Sequence, residues 1–287
     1  MAVDPDGDSY TGFLYGMDRA LMAMDLQRQV LKTQKSLARE PRRNREDDSE
    51  LPFETGEYGG IGGSEFFGTE TGVEKTPVIL SHGLGRDART FEELFDHLLQ
   101  EGYRGDEIYS ITYSDFLPTM EKGSRELSKF TDSVLEYTDS ESVNLVGHSM
   151  GGNIARKAAQ ESEDGNINSV WALSSPATGS SYVDLLEAFG LPSMEEISLE
   201  SARTGALSEL NSGEQDSPLY TLSGSYDAAY PVNTDSPVVE DALNLEIRGG
   251  HDDTKDSDLA ARIIAEGLES QDQDDFLERI PDELLVD

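Results

Sequence analysis

The stretch Val143-Asn144-Leu145-Val146-Gly147-His148-Ser149-Met150-Gly151-Gly152 constrains the fold of this chain more than any other. Residues 143–146 have the apolar, β-branched character of a short strand, and the following NIARKAAQ carries a helical pattern. Between them, Gly147-x-Ser149-x-Gly151 leaves only a few residues in which to turn a strand into a helix. Such a turn needs neighbours without a Cβ, so that backbone segments approach closely while the serine takes a strained conformation. The Ser149 hydroxyl is expected at the tip of the turn, beside the positive end of a helix. The motif therefore predicts a nucleophile.

A serine hydroxyl is a poor nucleophile at neutral pH and needs a base, an acid to orient that base, and donors for an oxyanion. The chain has four histidines, His82, His97, His148 and His251. His148 lies inside the turn, where its side chain should point away from the Ser149 hydroxyl. His97 falls in the amphipathic helix pattern FEELFDHLLQ, and His82 follows the strand Pro77-Val78-Ile79-Leu80. His251 lies just past the strand Leu243–Ile247, where the order nucleophile, acid, base puts the base. The acid is then expected after the preceding strand, Leu219–Leu222, which leads through SGSY to Asp227; Asp235 and Glu240 are fallback candidates. After the first strongly apolar strand comes Ser81-His82-Gly83-Leu84-Gly85. There Gly83 lets the backbone bend so that the Leu84 amide can face a substrate carbonyl, with the Met150 amide as second donor.

Strands alternating with helices fit one α/β domain, a mostly parallel sheet with helices on both faces. The pattern predicts strands over Pro77–Leu80, Glu107–Tyr113, the segment before Ser149, Ser169–Leu173, Leu219–Leu222 and Leu243–Ile247. Helices are predicted over Thr90–Glu101, Ser124–Tyr137, the segment after Ser149, and Ser257–Leu268. Glycine-rich Glu57–Gly72 reads as loops or a short hairpin. This divides the chain into an N-terminal amphipathic helix and extension (1–45), a linker and glycine-rich loop (46–72), a catalytic body (73–270) and an acidic tail (271–287) in which Phe276, Leu277 and Ile280 could dock back. Between Pro176 and Ser217, Tyr182, Leu185, Leu186 and Phe189 sit at helical spacing, as either an acyl-binding wall or another core-facing helix.

With these motifs on the page, the chain resembles the α/β-hydrolases, and within them the class 2 lipases, the family of the minimal Bacillus-type lipases and esterases. The matching stretches are PVILSHGLGRDARTFEELFDHLLQEGY, VNLVGHSMGGNIARKAA, LSELNSGEQDSPLYTLSGSYDAAYPV and the Gly249-Gly250-His251 run. The resemblance implies Ser149 as nucleophile, Asp227 as acid, His251 as base, and oxyanion amides from Leu84 and Met150. It further implies ester hydrolysis through an acyl-enzyme on acyl lipids or simpler esters, with no metal or organic cofactor. Thioester or polyester hydrolysis and acyl transfer are alternatives on the same triad, and a partner-docked structural protein with a secondary hydrolase body is another. Asp252-Asp253 departs from the pattern, since neutral residues are expected after the histidine; carboxylates there would raise the His251 pKa.

Charge supplies a second constraint. The 58 acidic residues against 22 basic ones give a net charge of −36, with only seven lysines among the cations. A compact domain so charged repels itself in dilute buffer. In concentrated salt, where the Debye length falls to about 3 Å, that repulsion is screened, which predicts a halophilic protein. The acidic balance argues against nucleic-acid binding, and no apolar run is long enough to span a bilayer. The start of the chain has no basic region followed by an apolar core, so no secretory signal is expected, which leaves the compartment open. The absence of cysteine excludes disulfides and thiolate metal sites.

Residues 1–45 escape the acidic trend, with eight basic and six acidic residues. Within them Tyr10–Arg39 reads as one helix with an apolar stripe at Leu14, Met17, Leu21, Met24 and Leu31. Such a helix is expected to be shielded from brine, by packing on its own domain, by a partner or second copy, or by a lipid surface.

Overall fold

The computed structural model describes residues 20–29, 31–32, 49–162, 165–180, 195–198, 201–229, 237–270 and 272–281. Seven strands form one sheet: β1 (Gly59–Gly62), β2 (Val78–Ser81), β3 (Ile108–Thr112), β4 (Val143–His148), β5 (Ile167–Leu173), β6 (Leu219–Gly224) and β7 (Leu243–Ile247), in the order β1-β3-β2-β4-β5-β6-β7. All neighbours run parallel except β1, which pairs antiparallel with β3 at the edge. The strand order reverses at β2, because β3 lies on one side of it and β4 on the other. In an open parallel sheet that reversal opens a crevice at the carboxyl ends of the two strands. Ser149 follows β4 and the Ser81–Gly85 loop follows β2, so both motifs come to that crevice.

The strand residues alternate faithfully between two cores. Ile79, Val143, Leu145, Val170 and Ala172 face one cluster, while Val78, Leu80, Val146, Trp171 and Leu173 face the other. The first cluster is covered by α3 (Met120–Thr138), α4 (Met150–Gln160) and α5 (Ala206–Ser212), through Leu127, Phe130, Val134, Ile154, Ala155, Leu207 and Leu210. The second is covered by α2 (Glu92–Gln100) and α6 (Asp258–Glu269), through Leu94, Phe95, Leu98, Ile263 and Ile264. This is the two-faced sheet that the alternation of predicted elements implied. Among the described residues no helix is long and apolar enough to cross a membrane.

Three differences from the sequence reading have physical causes. The glycine-rich segment contributes β1, whose pairing depends on close approach: a Cβ at Gly60 would stand 2.4 Å from the Ser110 carbonyl oxygen. A strand of GGIG carries no alternation by which to recognise it. The segment is also pinned from below, since the Asp106 carboxylate accepts the amides of Ser64 (2.7 Å) and Gly72 (2.9 Å). Helix α3 begins at Met120 rather than near Ser124, because the Thr119 hydroxyl caps it by accepting from the Lys122 amide at 3.2 Å. The tail contributes a short helix, α7 (Gln273–Leu277), which buries Phe276 completely. Of the helix expected over Tyr10–Arg39, residues 20–29, 31 and 32 are helical and form α1; Leu14 and Met17 lie outside the described residues, as do Tyr182, Leu185, Leu186 and Phe189.

Phe276 closes an aromatic group beneath the sheet. Trp171 and Tyr220 stack with ring centroids 4.5 Å apart, and the Phe276 ring meets both edge-on at 5.5 Å. Truncating a fully buried phenylalanine typically costs about 3–5 kcal/mol. Phe276→Ala should therefore lower unfolding free energy by about 3 kcal/mol, read from denaturant unfolding at fixed salt. A change smaller than about 1 kcal/mol would mean that the tail does not complete the core.

Candidate active site

The turn between β4 and α4 has the predicted strain. Ser149 lies at φ 57°, ψ −129°, a conformation that L-residues rarely adopt. Its amide donates to the Leu173 carbonyl (2.8 Å), and its own carbonyl accepts the Gly152 amide (3.0 Å). The turn is possible because Gly151 packs directly on β2, where a Cβ would fall 2.1 Å from the Ser81 carbonyl oxygen. Ser149 is half-buried, and the Met150 amide after it opens the first turn of α4. Amides of a first helical turn have no partner within the helix, which suits them to meet a developing negative charge.

Across the crevice, the loop after β2 brings Gly83 against the nucleophile candidate. A Cβ there would meet the Ser149 Cβ at 2.8 Å, so no larger residue fits. His82 is fully buried, and its Nδ1–H donates to the Gly83 carbonyl at 2.8 Å while its Nε2 accepts the Tyr113 amide at 3.4 Å. Pinning the Gly83 carbonyl fixes the plane of the next peptide, and in a trans peptide the Leu84 N–H points opposite to that carbonyl. His82, read from sequence only as a loop histidine, thus sets the direction of the Leu84 amide. The signal was its place between Ser81 and Gly83, but its ring partners are set by the fold.

The loops after β6 and β7 bring the other two candidates together. His251 Nδ1 donates to Asp227 Oδ2 at 2.8 Å, and the second Asp227 oxygen accepts the Ala229 amide, also at 2.8 Å. Both side chains are buried. Of the fallback acids, Glu240 is exposed and Asp235 lies outside the described residues. His148 turns away from the nucleophile candidate, as expected, and its Nε2–H donates to the His251 carbonyl at 2.9 Å. His97 is a surface residue whose Nε2 lies 3.0 Å from Asp258. A cavity of about 780 Å³ at the far end of α4, lined by Arg156, Gln160, Asn211 and Asp241, contains none of Ser149, Asp227 and His251. Among the described residues no group of three or more His, Asp or Glu side chains is arranged to hold a metal ion.

The two histidines titrate in opposite directions. Burial disfavours a charged His251, yet the Asp227 carboxylate, then Asp252 and Asp25, outweigh burial and raise its pKa. Burial, and then the nearby His251, push His148 well below the ordinary histidine value. Asp252 is buried too. Burial opposes its charge, but His148, Lys255 and Arg86 hold its carboxyl well below the usual carboxylate range. Of the acidic pair after the histidine, Asp252 therefore acts in the expected direction, with Asp227 as the larger contributor.

The sheet order, the strained serine after β4 and the histidine after β7 together decide the fold. This chain has the α/β-hydrolase fold. Residues 75–180 match the class 2 lipases. Among solved structures this chain is similar to the mature Bacillus licheniformis lipase BlEst2, with a TM-score of 0.57 and 17% identity over 70% of this chain and 95% of the other. It is also similar to MGS-MChE2, an α/β-hydrolase enzyme from the sediment metagenome of the Mar Chica lagoon, Morocco, with a TM-score of 0.52 and 16% identity over 77% and 98% of the two chains. A stretch of 126 residues is 27% identical to the lysosomal thioesterase PPT2-B of Xenopus laevis, covering 43% of each chain. The match therefore spans less than half the length of that curated relative.

A histidine titration by NMR should resolve the two buried rings. One should have a midpoint above the ordinary value of about 6.5, and another should stay neutral well into the acid range. Two rings titrating together near 6.5 would overturn the assignment of the Asp227 contact.

Proposed function

We propose that this α/β-hydrolase is a serine carboxylic-ester hydrolase of the lipase and esterase type, working in concentrated salt. The observation that carries the reading is the 2.8 Å bond from His251 to Asp227 on the same sheet edge as a serine held at φ 57°. With Nδ1–H committed to Asp227, Nε2 is the nitrogen that takes the Ser149 proton. Ser149 Oγ attacks the ester carbonyl, and the Leu84 and Met150 amides receive the oxyanion. His251 returns the proton to the leaving alcohol, forming the acyl-enzyme. Water, activated by the same imidazole, then releases the acid and restores Ser149. Asp227 holds the imidazole tautomer and stabilises its charged form throughout. The raised His251 pKa places the rising limb of activity above the ordinary histidine value, so turnover favours neutral to alkaline pH.

The surplus of carboxylates supports the salt adaptation, because a net charge of −36 on one compact body is tolerable only when screened. The likeness to a thioesterase favours a second reading, thioester hydrolysis by the same groups. Sulfur in place of the ester oxygen changes the leaving group but not the attack.

The test is hydrolysis of p-nitrophenyl esters and acyl thioesters of graded chain length, in about 3 M salt and in dilute buffer. We expect turnover that rises with salt. Ser149→Ala should remove it, and Asp227→Asn should lower kcat by about 10⁴-fold. Activity that survives Ser149→Ala would refute the serine mechanism, and equal activity in dilute buffer would refute the salt adaptation. A preference for thioesters would move the assignment to the second reading.

A further inference from the structure

Helix α1 is distant in sequence from Ser149, Asp227 and His251, yet it packs on the loops that carry the last two. Asp25 is only 3% exposed. Its Oδ2 accepts two backbone amides, from Ala228 and from His251, each at 3.1 Å. The first belongs to the residue after Asp227, and the second to His251 itself. One carboxylate oxygen therefore ties the loop after β6 to the loop after β7. The approach is so close that a Cβ on Gly250 would stand 2.6 Å from the Asp25 Cγ. One turn further along the helix, Gln29 donates to Asp252 at 3.0 Å, and Lys32 and Arg86 form ion pairs with the same carboxylate. Arg28 reaches Asp253 at 3.7 Å.

We propose that Asp25 is a positioning residue of the active site, through which α1 clamps the acid-bearing and base-bearing loops in register. The inference rests on the assignment of Asp227 and His251 as acid and base. Their 2.8 Å bond depends on the relative placement of two loops from different strands, which is what a shared acceptor for both backbones controls. Other bonds join these loops, among them the Tyr226 amide to the Gly249 carbonyl at 3.1 Å, and the Asp25 carboxylate adds a tie at the His251 amide itself. The clamp would also explain why Gly250 stands before the histidine, since the carboxylate occupies the space of a side chain. Around His251 stand Asp227 after β6, Asp25 from α1, His148 at the end of β4, and Asp252 and Lys255 on its own loop and turn. Arg86, from the loop after β2, touches Asp252. Asp25 is thus one of three carboxylates that favour the charged imidazole, as well as a geometric tie.

Full-length variants separate these roles. Asp25→Ala removes the acceptor and should lower kcat by about 10- to 100-fold, with KM little changed, because slight misplacement of a catalytic group is costly. Asp25→Asn keeps an acceptor oxygen but loses the carboxylate, so it should shift the rising limb of kcat/KM to lower pH and retain most of the plateau rate. Gly250→Ala displaces the same carboxylate from the other side, and combining it with Asp25→Ala should cost little more than either alone. Met24→Gln, on the exposed face of α1, should leave kcat and the pH profile unchanged. A kcat within two-fold of wild type for both Asp25→Ala and Gly250→Ala, with an unmoved pH limb in Asp25→Asn, would reduce α1 to simple packing. If Asp25→Ala fails to fold, the pH limb of folded Asp25→Asn decides. Wild-type turnover that survives Ser149→Ala would instead refute the triad itself, a result distinct from failure of the clamp.

Discussion

The candidate active site of this protein depends on the contact between Gly151 and the carbonyl of Ser81. That contact lets β4 turn directly into α4 beside β2, and it leaves the intervening Ser149 no relaxed conformation to adopt. A methyl group at Gly151 would separate the two segments, and the distance between the loop after β2 and Ser149 would grow with them. Gly83 makes the complementary approach from the other side, against Ser149 itself. Strain at one residue survives because the packing around it is over-determined, and here the packing is two hydrophobic cores on opposite faces of the sheet.

Electrostatics are arranged against the trend of the chain. Carboxylates outnumber cations more than two to one, yet Arg28, Lys32, Arg86 and Lys255 gather around Asp252, Asp253 and Asp256, next to the base candidate. A buried carboxylate such as Asp252 is stable only with partners of this kind. Two of these cations, Arg28 and Lys32, come from α1 and serve as counter-charges to the loop after β7.

How much of the site could be read in advance differed from residue to residue. Ser149 announces itself, because strand, turn and helix are contiguous and each leaves a local signature. Asp227 and His251 could be ranked by their position after late strands, in a chain with four histidines and many aspartates. The 2.8 Å bond between them comes from strand order, which brings β6 and β7 side by side. His82 was legible as a loop residue but not as the ring that fixes Gly83, since the Tyr113 amide that holds its other nitrogen is brought there by the pairing of β2 with β3. Asp25 left no signal, because an aspartate on an amphipathic helix reads as ordinary polar surface.

Periodicity and turn chemistry are properties of neighbours along the chain. They determined the parallel α/β architecture and the strained serine turn of this protein from sequence alone, and composition determined its acidic balance. Adjacency between distant segments was decided only by the tertiary structure. The edge strand β1 exists because glycines allow it against β3, Phe276 is core because Trp171 and Tyr220 meet beneath the sheet, and α1 lies on the loop of His251. The physical reason is common to all three. Close packing and buried hydrogen bonds depend on separations in space of a few ångström, and no local pattern encodes which distant residue will stand there.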